Sequence, residues 1–296
     1  MIHARALTRT YGARTAIQGV DFTVGRGEVV GLLGPNGAGK STTMRILAGA
    51  LAASSGSVQI DGHDVFADPI AVKRVVGFLP ERPPLYADMG VADFLSYAAT
   101  LHGVSDVAGA VSRALDLAAV REVATRPIGR LSKGFKQRVG LAAALVHSPK
   151  VLLLDEPASG LDPVQRVEMR ALVRRLAAGD VTVLLSTHVL AEVEFACDRV
   201  IALHHGRVVL DSRLDAIGGG GVVRVRVGRV DGAGAALAGV PGVASVDSPV
   251  VGTFLVRGEG DLRAAVARAA APFDLLELGS PSGLEDLFVR LAREDA

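Results

Sequence analysis

A single cysteine, Cys197, stands in a chain of 296 residues, so no internal disulfide can form. A small buried side chain in a reducing compartment is the expectation that fits. Charge imbalance is missing too, since 32 Lys and Arg against 31 Asp and Glu leave a formal net charge of +1. That balance supplies no general pull towards nucleic acid or anionic lipid. Long apolar runs are also absent: Leu141–Val146, Val151–Leu154 and Val181–Leu185 all end at polar, charged or proline positions well short of a bilayer span. The opening Met-Ile-His-Ala-Arg leads into alternating residues rather than an apolar core with a cleavage site, so no secretory signal is expected and the chain reads as cytoplasmic. What is present is 49% hydrophobic residues, enough for globular cores, at a length that suits one large domain plus a small one.

The most informative stretch is Gly34, Pro35, Asn36, Gly37, Ala38, Gly39, Lys40, Ser41 and Thr42, which fits the phosphate-cradling pattern G-x-x-x-x-G-K-[ST] without a gap. The apolar run Val29–Leu33 predicts a buried strand entering it, and Ser41–Ala48 a helix leaving it. Glycines allow successive backbone N–H groups to turn inward around a phosphate. Lys40 reaches the β- and γ-phosphates as a point charge, the Ser41 hydroxyl suits a magnesium shell, and the helix N-terminus favours the anion.

Strands are expected over Ile2–Thr10, around Val20, Phe22 and Val24, and at Val58 and Ile60. Tyr11, in a turn before the phosphate loop, is either an aromatic surface for a nucleotide base or an ordinary exposed tyrosine. Val72–Leu79 reads as a strand broken by the prolines and charges of Pro80–Pro84. Val91–Val123 turns helical, with Phe94, Leu95, Ala98 and Leu101 on one face and Val111, Leu115 and Leu117 on a second segment. Ser132 is a plausible N-cap for a helix running towards Pro149, with Phe135, Val139, Ala142 and Val146 facing a core.

Val151–Leu154 is an apolar strand that ends in Asp155 and Glu156, two acids at the carboxyl edge of a parallel sheet. Asp155 is placed to hold magnesium, directly or through water, and Glu156 to polarise or deprotonate an attacking water. Asp162 next to Pro163 caps a helix over Val164–Ala178. A second apolar strand, Val181–Leu185, ends at His188, which is either structural or a γ-phosphate sensor.

This order of motifs, over about Ile2–Asp215, resembles the ATP-binding subunit of an ABC transporter. In that resemblance Gly34–Thr42 looks like the Walker A loop, Val151–Glu156 like Walker B with its catalytic glutamate, Ser159–Asp162 like the D-loop, and His188 like the switch histidine. Tyr11 looks like the adenine-stacking aromatic, and Leu131–Phe135 resembles the family signature. Two positions depart from the pattern: Lys133 and Phe135 replace a glycine and a glutamine of the signature, and Glu81 stands where the Q-loop has glutamine. The resemblance implies an α/β P-loop ATPase core with an antiparallel β subdomain and a helical insert (about 82–148) within residues 1–217. It implies ATP and Mg2+, the ion held by Ser41, Asp155 and Glu81. It also implies Asp162 as a nucleotide-binding residue, a second copy whose Ser132 and Gly134 close the nucleotide site, and separate polytopic membrane permease subunits at the inner face of the cell membrane. The Leu-Ser-Lys-Gly signature is similar to a branch of bacterial exporters that move drugs, antibiotics, lipids or polysaccharides. A soluble ATPase acting on nucleic acid or the ribosome is the alternative, opposed by a single cassette, no coiled-coil insert, no basic tail and near-neutral charge. A nucleotide switch with little hydrolysis is opposed by the complete Asp155, Glu156 and His188 set.

After a hairpin-like Val200–Leu210, Gly218–Gly221 reads as a flexible boundary. Residues 222–296 then alternate as strand, helix, strand, strand, helix, strand, with helical patterns at Leu262–Ala271 and Leu284–Leu291. This predicts a small α+β accessory domain of split βαβ type. It carries no site legible in sequence.

Overall fold

The computed structural model describes residues 1–177, 179, 181–217, 222–279 and 284, and its contacts divide the chain into two compact units, Met1–Asp211 and Ser212–Ala296. The first unit opens with β1 (Ile2–Tyr11) and β2 (Arg14–Val24), then β3 (Val29–Leu33) and α1 (Lys40–Leu47). It continues through β4 (Ser55–Ile60), β5 (His63–Asp64), α2 (Pro69–Val75) and β6 (Val76–Leu79). A helical segment follows with α3 (Val91–Leu101), α4 (Val107–Leu117) and α5 (Lys133–Leu145). The unit then alternates β7 (Val151–Asp155), α6 (Pro163–Ala177), β8 (Thr182–Thr187), α7 (Leu190–Ala196) and β9 (Arg199–His204), and ends in β10 (Arg207–Arg213).

Two sheets result. The outer one, in the order β2-β1-β4-β5, is antiparallel and turns Ile2, Ala4, Leu7, Ile17, Val20, Phe22 and Val24 inward by the period-2 alternation of its strands. The inner one runs β10-β9-β3-β8-β7-β6, with β6, β7, β8, β3 and β9 parallel. Every residue of β3, β7 and β8 is buried, as expected for parallel strands covered on both faces. Because β8 lies between β3 and β7, and the register pairs Leu33 with Thr187 and Asp155 with Ser186, the three strands end at one level.

Two expectations need correction. Residues 69–75 form α2 rather than strand: Pro69 opens the helix and Asp68 Oδ1 accepts from the Ala71 N–H at 3.4 Å, so local capping overrides the β-branched run until Val76. Leu101 and Leu117 are 68% and 46% exposed, whereas Val91, Phe94, Leu95 and Ala99 of α3 and Ala110, Val111, Ala114 and Leu115 of α4 are buried. Both leucines are the last residues of their helices, past the turns that pack against neighbours. Ser132 caps α5 as expected, accepting from the Phe135 N–H at 3.3 Å, and Val139, Ala142 and Val146 enter the helical core.

Where α3 ends, the His102 ring stacks on His147 beyond α5, centroids 3.8 Å apart and planes 2° from parallel. The His147 Nε2 meets the Val76 carbonyl at 3.1 Å, while its Nδ1 is buried without a partner. Burial, then the neighbouring His102, push its imidazole down to about 4. Cys197 is buried as anticipated, and burial pushes its thiol up to about 12. Among the described residues no helix is long and apolar enough to cross a membrane.

The second unit holds α8 (Leu214–Ile217), β11 (Val222–Val227), α9 (Ala233–Ala238), β12 (Val243–Val250), β13 (Thr253–Gly258), α10 (Arg263–Ala270) and β14 (Leu275–Gly279). Its antiparallel sheet, β12-β13-β11-β14, buries Val223, Val225, Val227, Phe254 and Val256 with Leu237 and Val266 of the helices. From β11 onward the element order is the split βαβ order read from the sequence. The Gly218–Gly221 boundary, Ala178 and the helical pattern over Leu284–Leu291, save the buried Leu284, lie outside the described residues.

Candidate functional site

The loops leaving β3, β7 and β8 meet at the carboxyl edge of the inner sheet, the position where open α/β folds bind ligands. They form an open cleft of about 560 Å³ lined by Tyr11, Arg14, Ala16, Asn36, Gly37, Gly39, Lys40, Ser41, Thr42, Glu81, Glu156, Ser159 and His188.

The loop after β3 depends on glycine for space as well as conformation. Gly39 takes φ 105° where it opens α1, and a Cβ there would stand 2.4 Å from Ile17 Cγ2 and 2.9 Å from the Ala16 carbonyl oxygen. A Cβ on Gly34 would meet the Leu203 carbonyl oxygen at 2.4 Å. The loop is therefore pressed between β2 and the end of β9, with its backbone free to present N–H groups to the cleft.

Lys40 is almost fully buried and folds back along the loop, donating to the Gly34 carbonyl at 2.8 Å and the Pro35 carbonyl at 3.1 Å. Its Nζ lies 3.6 Å from Glu156 Oε1. Burial lowers its pKa, and the nearby carboxylates, Glu156 foremost, act in the opposite direction. The ammonium thus has an acid partner in a desolvated wall, where Coulombic interactions with a phosphate are stronger than in water.

Asp155 ends β7 beside two hydroxyls: Ser186 donates to its Oδ1 at 2.6 Å and Ser41 at 3.1 Å. Burial raises the Asp155 pKa, and those two hydrogen bonds pull it back. Glu156 follows at φ 49°, a left-handed conformation that costs a side-chain-bearing residue about 1–2 kcal/mol. Ser186 holds it there, accepting the Glu156 N–H on its carbonyl at 3.0 Å and its hydroxyl at 3.2 Å. The Glu156 carboxylate then meets His188 Nδ1 at 2.8 Å from Oε2 and 3.0 Å from Oε1. A chain Lys40, Glu156, His188 runs across the cleft, and a second, Ser41, Asp155, Ser186, runs beneath it.

A hydroxyl and a carboxylate facing one another at a phosphate loop are hard oxygen donors, the set that suits Mg2+ completed by substrate phosphates and water. The residues fit a magnesium nucleotide. Glu81 is exposed and lines the same cleft, and it is the last of the carboxylates that act on Lys40.

Of the residues singled out in sequence, Tyr11, Asn36, Gly37, Gly39, Lys40, Ser41, Thr42, Glu81, Glu156 and His188 line the cleft, and Asp155 lies just behind it. Gly34, Pro35 and Ala38 build the loop itself, the first two through their carbonyls to Lys40 and Ala38 through its N–H to the Pro35 carbonyl at 3.2 Å. The Arg9 guanidinium stacks 4.6 Å from the Tyr11 ring centre. Ser132, Gly134 and Asp162 stand apart from the cleft wall. Ser132 is exposed, Asp162 Oδ1 caps α6 by accepting from the Gln165 N–H at 2.8 Å, and a Cβ on Gly134 would run into the Gln165 side chain at 2.7 Å. Arg14 and Ser186 were not assigned a role from the sequence. Ser186 was signalled only by its place beyond the second apolar strand, and Arg14 by nothing but proximity to Tyr11.

Comparison with known proteins agrees with this geometry. The family model described as ABC transporter matches residues 17–159. A lantibiotic transport ATP-binding protein, SrtF, of Streptococcus pyogenes is 35% identical over 215 residues, spanning 73% of this chain and 92% of that protein. The bacitracin transport ATP-binding protein BcrA of Bacillus licheniformis is 34% identical over 216 residues, 73% of this chain and 70% of its own length. Among solved structures, the dimeric bacterial ABC transporter cassette MJ0796 superposes with a TM-score of 0.67 at 25% identity, covering 72% of this chain and 99% of that one.

Proposed function

The chain belongs to the ATP-binding subunits of ABC transporters, and from that premise we propose that it binds and hydrolyses ATP as the motor of an exporter whose membrane-spanning subunits are separate polypeptides. The observation that carries this reading is the convergence of Lys40, Ser41, Glu156 and His188 on one cleft, with Asp155 beneath it.

Adenine stacks on Tyr11, and the backbone of Gly34–Thr42 receives the phosphates with Lys40 turned towards the β- and γ-groups. Ser41 and Asp155 would hold Mg2+, with Glu81 as a further carboxylate, and the ion would supply charge neutralisation at the phosphates. Glu156 orients the attacking water and accepts its proton as the water oxygen bonds to the γ-phosphorus and the bond to the ADP oxygen breaks. His188, hydrogen-bonded to both Glu156 oxygens, keeps that carboxylate aimed and senses the γ-phosphate.

Ser132 and Gly134 act on the nucleotide of a second copy, packed head to tail. Support comes from their position off the cleft of their own chain and from the dimeric cassette with the same fold. The helix dipole of α5, unfavourable beside Lys133 and Lys136 alone, is offset by a phosphate at its N-terminus. The protein works at the inner face of the cell membrane, and relatives named for lantibiotic and bacitracin transport support antibiotics or drugs as the exported class. The residues 222–296 serve an accessory role.

The test is Glu156→Gln, which conserves volume and removes the base. Turnover is expected to fall by about 10²–10⁴-fold with ATP binding retained, and a lasting ATP-dependent dimer to accumulate. Unchanged hydrolysis in that variant would overturn the mechanism.

A further inference from the structure

Arg14 is a cleft residue to which neither the family motifs nor the sequence pattern assigns a role. It sits on β2 directly opposite Tyr11 of β1 in the antiparallel register, at the turn that forms one wall of the cleft. Its Nη2 lies 4.0 Å from where a Cβ on Gly37 would stand, so the guanidinium reaches the phosphate loop at Gly37. The side chain is exposed, whereas Lys40, lining the same cleft, is buried and its ammonium is already engaged by two carbonyls and Glu156.

Charge makes this position matter. Glu81 and Glu156 line the cleft and Asp155 lies behind it, so a polyanionic ligand meets carboxylates as well as the Lys40 ammonium. A second cation lining the cleft adds attraction for the anion, and a planar guanidinium can donate two parallel hydrogen bonds to phosphate oxygens. We propose that Arg14 is a further nucleotide-binding residue, donating from its guanidinium to the phosphate chain beside Gly37 of the loop. The inference rests on the ATP-binding reading above.

Equilibrium binding of MgATP, MgADP and AMP to the full chain and to Arg14→Ala, Arg14→Lys and Arg14→Glu tests it. Arg14→Ala is expected to weaken MgATP and MgADP by about tenfold at low salt, an effect that shrinks as salt screens the charge, with AMP affected least. Arg14→Lys recovers part of the loss, and Arg14→Glu deepens it. Wild-type affinity in Arg14→Ala overturns the assignment, as does equal weakening of all three nucleotides, which indicates support of the Tyr11 ring. Equal behaviour of the Ala and Lys variants also overturns it, because the charge would then be idle. Failure of the unaltered protein to bind MgATP would instead remove the ATP-binding reading itself, and this inference with it.

Discussion

Gly39→Ala adds one methyl group where the phosphate loop presses on β2, and its cost can be separated into two parts. The backbone at φ 105° lies outside the region that L side chains adopt readily, a strain of about 1–2 kcal/mol. The new Cβ would also approach Ile17 Cγ2 to 2.4 Å and the Ala16 carbonyl oxygen to 2.9 Å. Ile17 is completely buried and the second atom is backbone, so neither can step aside cheaply, and overpacking adds about 1–3 kcal/mol. Gly37→Ala is the internal control: at φ 83° it bears comparable strain, yet its Cβ reaches only Arg14 Nη2 at 4.0 Å. The difference between the two variants therefore isolates the packing contribution. Thermal melting should place Gly39→Ala below Gly37→Ala by about 2–12 °C, at the usual 2–4 °C per kcal/mol for a unit of this size. MgATP affinity should fall further in Gly39→Ala as the loop is pushed off β2. Equal melting temperatures would refute the claim that close approach, rather than conformation alone, demands glycine at this position.

The stacked histidines make stability depend on pH. The folded pKa of His147, about 4, lies below the ordinary 6.5, so the unfolded chain takes up the proton first. Stability is then complete above about pH 6.5 and declines towards pH 4, by about 3 kcal/mol at most, because protonation would place an N–H on a buried Nδ1 that has no acceptor. Melting of wild type and His147→Gln across that window should show a shallower acid decline in the variant, and parallel curves would count against the assignment. Cys197, buried with its thiol pushed up to about 12, should resist a thiol reagent at pH 8 until urea unfolds the chain. Rapid labelling of the native protein would contradict that burial.

The legible parts of the fold share a property: each is carried by consecutive residues. Val29–Leu33 followed by Gly34–Thr42, and Val151–Leu154 followed by Asp155 and Glu156, declare strand, turn and chemistry within about ten positions, because short-range sterics and hydrophobic burial act along the chain. The α2 helix departs from the strand expectation because one capping aspartate and a proline outweigh a β-branched run. Leu101 and Leu117 fit the helical period yet are exposed, since periodicity assigns a face but not how far along the helix the neighbours reach.

The sequence by itself determined that this chain carries a phosphate-loop pattern, holds two acids and a histidine at strand ends, and lacks a run long enough to span a membrane. Only the tertiary structure decided that β8 lies between β3 and β7, which brings Ser186 under both Asp155 and the backbone of Glu156. It also set Arg14 beside Gly37 and kept Ser132 and Gly134 off the cleft of their own chain. The reason is physical: strand order and register are chosen by burial of whole sheet faces, a global balance to which no local stretch of residues is answerable.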